Sequence, residues 1–189
     1  APAAESITNK NGSADFLISS AAPKREGYTF MGWADSANAA AAVYRANDPI
    51  QLHKNGNVEK TIYAVWKPSI YTVTLHANGG AIASGKDITS YTYGAGATLP
   101  TENAITREGC TFDGWYADSS FSGAPVTAIS NTETGNKEYW AKWEINQYTV
   151  TFDTVGGSTV ASITQDYGTA IAAPAAPTRE GYTFIGWDK

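Results

Sequence analysis

The stretch Arg25-Glu26-Gly27-Tyr28-Thr29-Phe30-Met31-Gly32-Trp33, REGYTFMGW, returns as REGCTFDGW at 107–115 and as REGYTFIGW at 179–187. A reacting site copied three times would repeat nucleophiles, acids, bases or metal ligands. A structural unit copied three times would repeat turns, alternating strands and aromatic anchors, and these are what recur. Arg-Glu-Gly reads as a turn and Tyr-Thr-Phe-x-Gly-Trp as a strand with Tyr28, Phe30 and Gly32 on one face and Thr29, Met31 and Trp33 on the other. Glycine inside a strand is destabilising unless something packs on bare backbone, so Gly32, Gly114 and Gly186 predict a bulge or a close neighbour, with an aromatic ring as the expected occupant. The residue between Phe and Gly is Met31, Asp113 or Ile185, a mixture that predicts exposure.

Other words recur around this one. YTVTLHANGG begins at Tyr71 and YTVTFDTVGG at Tyr148, 77 residues apart, and YAVWK ending at Lys67 and WAKWE ending at Glu144 have the same separation. The spacing predicts tandem units of about 75 residues over 1–67, 68–144 and 145–189. The middle unit is complete; the opening strand of the first would fall before residue 1, and the closing strand of the third is missing. A sequence that starts and stops in mid-repeat reads as a piece of a longer array, and its unpaired end strands predict poor order or self-association. The joints Lys67-Pro68-Ser69-Ile70 and Glu144-Ile145-Asn146-Gln147 are short and poor in glycine and serine, which predicts a semi-rigid elongated array.

Tyr71, Val73 and Leu75 alternate with Thr72 and Thr74, the pattern of a half-buried strand, and Gly79-Gly80, Gly156-Gly157 and Asn55-Gly56 predict hairpin turns. The best helical signal is Ser36–Tyr44, rich in alanine with Ser36 as N-cap. The 189 residues carry 42% hydrophobic and only 16% charged side chains, with 18 glycines, a composition that favours strands and turns. The fold class is therefore β-rich, all-β or α+β. Net charge is −5 and no basic cluster exists, which argues against a nucleic-acid partner. No apolar run is long enough for a membrane span. The single cysteine, Cys110, excludes an internal disulfide framework and stands where the other copies have Tyr28 and Tyr182, a packing position.

The ordered words YTVTF…GG, YG, PTREGYTFxGW and a closing YAxW resemble the Listeria–Bacteroides repeat, a family that includes the B-repeat of internalin B and occurs in tandem in bacterial surface proteins. The resemblance covers nearly all of residues 7–189. It implies a small β-grasp-like, ubiquitin-like unit per repeat on an exported, often cell-wall-associated protein.

Chemistry is hard to find in the copied words. His53 and His76 belong to different words and lie in no ligand cluster. Glu26, Glu108 and Glu180 have no opposed acid, so the sequence offers no catalytic residues, no metal site and no cofactor. Asp35, Asp118 and Asp188 follow the tryptophan and match no calcium loop. The tryptophans remain. Trp33, Trp115 and Trp187 recur at one place and Trp66 and Trp143 at another, with Phe30, Phe112 and Phe184 beside them, which predicts core anchors; Trp140, whose counterpart is Tyr63, is the candidate exposed platform. The reading is a non-enzymatic segment of an extracellular bacterial surface or secreted protein, a stalk whose partners are its neighbouring repeats. The alternative is an adhesin module that binds a host protein or glycan multivalently.

Overall fold

The structure, a computed structural model, describes residues 4–9, 14–52 and 58–188. His53 and the Asn55-Gly56 turn lie outside the described residues. Each REG phrase begins as its sequence requires. Tyr28, Cys110 and Tyr182 each donate their backbone N–H to the carbonyl of the arginine three residues earlier, at 3.1 Å, around glycines with φ of +73°, +69° and +77°. A left-handed backbone of this kind is open to glycine at little cost.

The strand that follows departs from simple alternation. In β3 (Tyr28–Ala34), Phe30 pairs with Trp66 and Gly32 with Val65 of β5 (Val58–Pro68), so Met31 is an extra residue and the register shifts. The same shift separates Phe112 from Gly114 where β11 (Cys110–Tyr116) pairs with β13 (Lys137–Ile145). A bulge of this kind re-aims the side chains after it. Trp33 and Trp115 therefore join the faces of Phe30 and Phe112, with ring centroids 5.4 and 5.6 Å apart, where alternation alone puts them on the opposite face. The glycine is needed for a different reason than an aromatic neighbour. A Cβ on Gly32 would lie 2.5 Å from the Tyr44 carbonyl oxygen, and one on Gly114 would lie 2.5 Å from Pro125 Cβ. Met31 and Ile185 are exposed as expected, and Asp113 is half-buried.

The chain forms two compact units, and both draw on the middle repeat. The first takes in 1–74, 88–98 and 128–137. There β5 lies between β3 and β1 (Ala4–Asn9), antiparallel to both, so a strand runs along β5 even though the repeat spacing leaves none at this end. Also in this unit β2 (Ala14–Leu17) pairs with β4 (Pro49–Leu52), β6 (Ile70–His76) with β8 (Ser90–Thr92), and β9 (Ala97–Thr98) with β12 (Ala128–Ile129). Its core is Ile18, Trp33, Ile50, Ile62 and Ala64, flanked by Phe16, Phe30, Tyr44 and Trp66. The second unit takes in 75–87, 99–127 and 138–189. In it β7 (Ala81–Ile82) pairs with β10 (Ile105–Thr106), β11 with β13, and β14 (Gln147–Val150) with β15 (Ile163–Asp166). Leu99, Ile105, Trp115, Tyr116, Tyr139 and Ala141 are buried in it.

No helix occurs among the described residues. Ser36–Tyr44 makes one turn, with Ala39 N–H donating to Ser36 O, and then runs extended so that Trp33 and Tyr44 exchange backbone hydrogen bonds at 2.9 Å. A helix of nine residues is marginal alone, and the strand partner wins. The Gly79-Gly80 turn likewise closes no hairpin on β6: after it β7 leaves to pair with β10. Beside the phrase Tyr182–Trp187 no strand is found among the described residues, and Tyr182 and Ile185 are 67% and 98% exposed.

Candidate functional site: the joints between repeats

The joints are shorter than their sequences suggest. β5 runs to Pro68 and β6 starts at Ile70; β13 runs to Ile145 and β14 starts at Gln147, so one residue, Ser69 or Asn146, separates the strands. Each of these residues is held three ways. Ser69 N–H donates to Gly27 O at 2.9 Å, Ser69 O accepts from Tyr93 N–H at 3.0 Å, and its hydroxyl meets that of Thr29 at 3.1 Å. Asn146 N–H donates to Gly109 O at 2.9 Å, Asn146 O accepts from Tyr167 N–H at 2.8 Å, and Asn146 Oδ1 accepts from the Thr111 hydroxyl at 2.6 Å.

A tyrosine closes each joint. The ring of Tyr93 covers Gly27 and that of Tyr167 covers Gly109, so closely that a Cβ on either glycine would overlap the ring. Both tyrosines come from the Tyr-Gly word of the following repeat, and both glycines from the REG turn of the preceding one. Tyr93 also meets Tyr28 edge-on at 5.3 Å, and Tyr28 carries the Arg25 guanidinium over its face at 3.7 Å. At the second joint, where Cys110 replaces the tyrosine, the Tyr167 hydroxyl donates to Glu108 instead. That bond to a carboxylate, with the negative charge beside it, raises the Tyr167 pKa above its ordinary value. Cys110 is half-buried opposite Ile145.

The recurring aromatics fall into two groups. Trp33 and Trp115 are buried, and Trp115 Nε1–H donates to Pro100 O at 2.7 Å. Trp66 and Trp143 are half-buried edge-on against Phe30 and Phe112, at 5.4 and 5.3 Å, and Trp143 Nε1–H donates to Ala77 O at 3.0 Å. Trp187 is half-buried near Phe184, at 5.2 Å, and the Cβ position of Gly186 faces open space. Trp140 is half-buried with its ring stacked on His76 at 4.7 Å, and His76 Nε2 lies 3.1 Å from Glu138.

The aspartates are engaged within their own repeats. Asp35 accepts from Lys60 at 2.9 Å and from the Tyr44 hydroxyl at 3.0 Å; Asp113 accepts from Lys142 at 2.7 Å and from the Tyr116 hydroxyl at 2.9 Å. The lysine hydrogen bond is the main reason each carboxyl titrates below its ordinary range. Sequence spacing hides these two clusters, because Lys60 aligns with Lys137 and Lys142 with Val65 at the 77-residue offset. Asp188 is exposed. No group of three or more metal-ligating side chains occurs among the described residues.

Asp118 orders the excursion after the middle tryptophan. Its carboxylate accepts from the hydroxyls of Ser120 and Ser122 and from the Ser120 N–H at 2.9 Å, and the Ser120 hydroxyl is the largest cause of its pKa falling to about 2 from 3.8. Because the folded value is depressed, the contribution is fully present above the unfolded value and disappears as pH falls through about 2. Protection of the Ser120 and Ser122 amides, their exchange rates taken relative to the intrinsic rate at each pH, is therefore expected to fall between about pH 4 and pH 2, and Asp118→Asn should abolish that transition. A flat profile in the native chain would contradict the assignment.

The geometry agrees with comparisons to known proteins. The Listeria-Bacteroides repeat domain matches residues 4–65, 71–142 and 148–189. A putative Gly-rich membrane protein of Evansella cellulosilytica is 36% identical over 165 residues, covering 86% of this chain and 18% of that protein. A putative membrane protein of the same organism is 36% identical, covering 87% of this chain and 23% of its own length. Internalin H of Listeria monocytogenes is 39% identical over 100 residues, 52% of this chain and 18% of that protein. The chain thus spans at most about a quarter of these relatives. No solved structure matches it. Three tandem matches to one repeat, each carrying the same REG turn, with the bulged strand after it in the first two, place the chain in the Listeria-Bacteroides repeat domain family.

Proposed function

We propose that this chain is a non-enzymatic spacer segment of a bacterial surface or secreted protein, holding other parts of its parent away from the envelope as a semi-rigid, elongated stalk. The observation that carries this reading is the joint itself. Both repeat boundaries use one linking residue, the same pair of backbone hydrogen bonds and the same tyrosine-over-glycine contact. A boundary with no free linker transmits orientation, which a spacer needs and a flexible tether lacks. The kinship with Internalin H supports the surface location. Each repeat is further read as a reduced β-grasp unit, supported by the pairing of the first repeat's opening strand β1 with its closing strand β5. An irregular excursion takes the place of the helix.

Small-angle scattering tests the stalk. A compact chain of this length has a radius of gyration of about 16 Å, and the native chain is expected well above it. Tyr93→Ala with Tyr167→Ala should loosen the joints and shift the scattering towards that of flexibly linked beads. A native value near 16 Å, or a double variant indistinguishable from the native chain, would sink the reading.

An adhesin reading is favoured by one observation, the half-exposed Trp140 stacked on His76. Glycan or host-protein binding that Trp140→Ala abolishes would establish it. Against it, the tryptophans that do recur in the first two repeats, Trp33, Trp66, Trp115 and Trp143, are buried or half-buried against phenylalanines.

A further inference from the structure

The strand that brings the chain into the middle repeat and the strand that takes it out lie side by side. In the sheet of order β11-β13-β6-β8, β13 is the neighbour of β6. Side-chain hydrogen bonds lace the two segments together and show their relative direction. In the first compact unit Thr72 N–H donates to Asn136 Oδ1 at 3.0 Å. In the second, His76 Nε2 lies 3.1 Å from Glu138 Oε2, Asn78 Nδ2 donates to Ala141 O at 2.7 Å, and the long Trp143 side chain reaches back to donate from Nε1–H to Ala77 O at 3.0 Å. The stacking of His76 on Trp140 at 4.7 Å falls between these contacts. The partners advance together, from Thr72 with Asn136 to Asn78 with Ala141, so β6 and β13 run parallel.

That direction decides how a pull on the chain is felt. The chain enters at Ile70, ahead of the first of these contacts, and leaves at Ile145, past the last. In a parallel pair the start of one strand and the end of the other lie at opposite ends. Tension between them therefore acts along the strands and slides one past the other, which strains every contact at once. An antiparallel pair entered and left in the same order would be opened from one end, one contact at a time. The flanking residues Ser69 and Asn146 are the ones the joints hold, through Gly27 O and Tyr93 N–H and through Gly109 O and Tyr167 N–H, so a load carried by neighbouring repeats arrives at the two ends of this pair.

We propose that β6 and β13 form a tension clamp, through which the middle repeat bears a pull along the chain in shear and stays folded under a load that would peel a sheet edge open. The clamp rests on the middle repeat alone. Only the presence of a load rests on the spacer reading.

The test pulls the whole 189-residue chain in two directions by single-molecule force spectroscopy, with Cys110→Ser removing the native thiol. Handles on Ile70→Cys and Ile145→Cys, both at exposed positions, load the pair in shear. Handles on Ile70→Cys and Glu133→Cys, the latter also exposed, draw on adjoining ends and peel it; the surface ion pair of Glu133 with Lys137 that is lost contributes little. The middle repeat is expected to unfold at clearly higher force in the first direction than in the second. Asn78→Gly keeps a backbone with φ +49° and removes the bond to Ala141 O. It should speed unfolding under a fixed shear load by about two- to tenfold, the scale of one hydrogen bond, and leave peeling unchanged, because that bond lies at the end that opens last. Trp143→Phe, which removes the bond to Ala77 O and keeps most of the ring, covers the case in which Asn78→Gly misfolds. A substitution that merely weakened the fold would speed unfolding in both directions. Equal forces in the two directions, or equal acceleration in both by either variant, would overturn the proposal. Compact scattering alongside the expected forces would instead sink the spacer and leave the clamp.

Discussion

Trp115→Ala is expected to destabilise the middle repeat by about 3–5 kcal/mol, the range for emptying a large aromatic site in a packed core. The indole is 2% exposed, stands edge-on to Phe112, and donates to Pro100 O at 2.7 Å. Truncation therefore opens a cavity and also strands a buried carbonyl, and the second effect adds about 1–3 kcal/mol where water does not replace the donor. Trp115→Phe separates the two, since it keeps most of the ring and loses only the donor. Amide exchange is the right readout, because a chain with two compact units need not unfold as one. Loss of protection should centre on β11 and β13 for the alanine variant. Native-like protection there would show that the ring is not core and would turn attention back to a ligand-binding role.

Gly32→Ala should cost the first repeat about 2–6 kcal/mol, from about 1–3 kcal/mol of backbone strain and a similar overpacking term. The residue has φ +127°, and its added Cβ would lie 2.5 Å from Tyr44 O and 2.8 Å from Ala42 Cβ. Tyr44 O cannot retreat freely, because it accepts from Trp33 N–H at 2.9 Å. Gly186 supplies an internal control. Its φ is +141° but nothing lies within 4 Å of its Cβ position, so Gly186→Ala should carry the strain alone and cost clearly less. Equal penalties at the two sites would show that the close approach of the 42–44 segment contributes nothing.

Both results turn on a feature that lies between sequence and fold. Glycine in the middle of Tyr-Thr-Phe-x-Gly-Trp announces a bulge, and the register shift after Phe30 and Phe112 is that bulge. The period of two nevertheless places the tryptophan on the wrong face, because an inserted residue reverses every side chain beyond it. What presses on the glycine was not legible either. The occupants, Tyr44 O and Pro125, come from the excursion after the tryptophan, the part of the repeat whose sequence varies.

The sequence by itself determined the repeat length, the β-rich class, the REG turns with their left-handed glycines, the family, and the shortness of the joints. Each of these depends on neighbours along the chain: φ restrictions, alternation, and recurrence of whole words. Tertiary structure alone decided that Ser36–Tyr44 runs beside Trp33 without forming a helix, and that Gly79-Gly80 turns the chain towards β10. It alone decided that the joint is closed by Tyr93 on Gly27 and Tyr167 on Gly109, partners 66 and 58 residues apart. The physical reason is common to all of these. Local preferences among short segments differ by only about 1 kcal/mol, whereas pairing a backbone edge or seating an aromatic ring on bare glycine engages groups distant in sequence, and their meeting is fixed only once the sheets have formed.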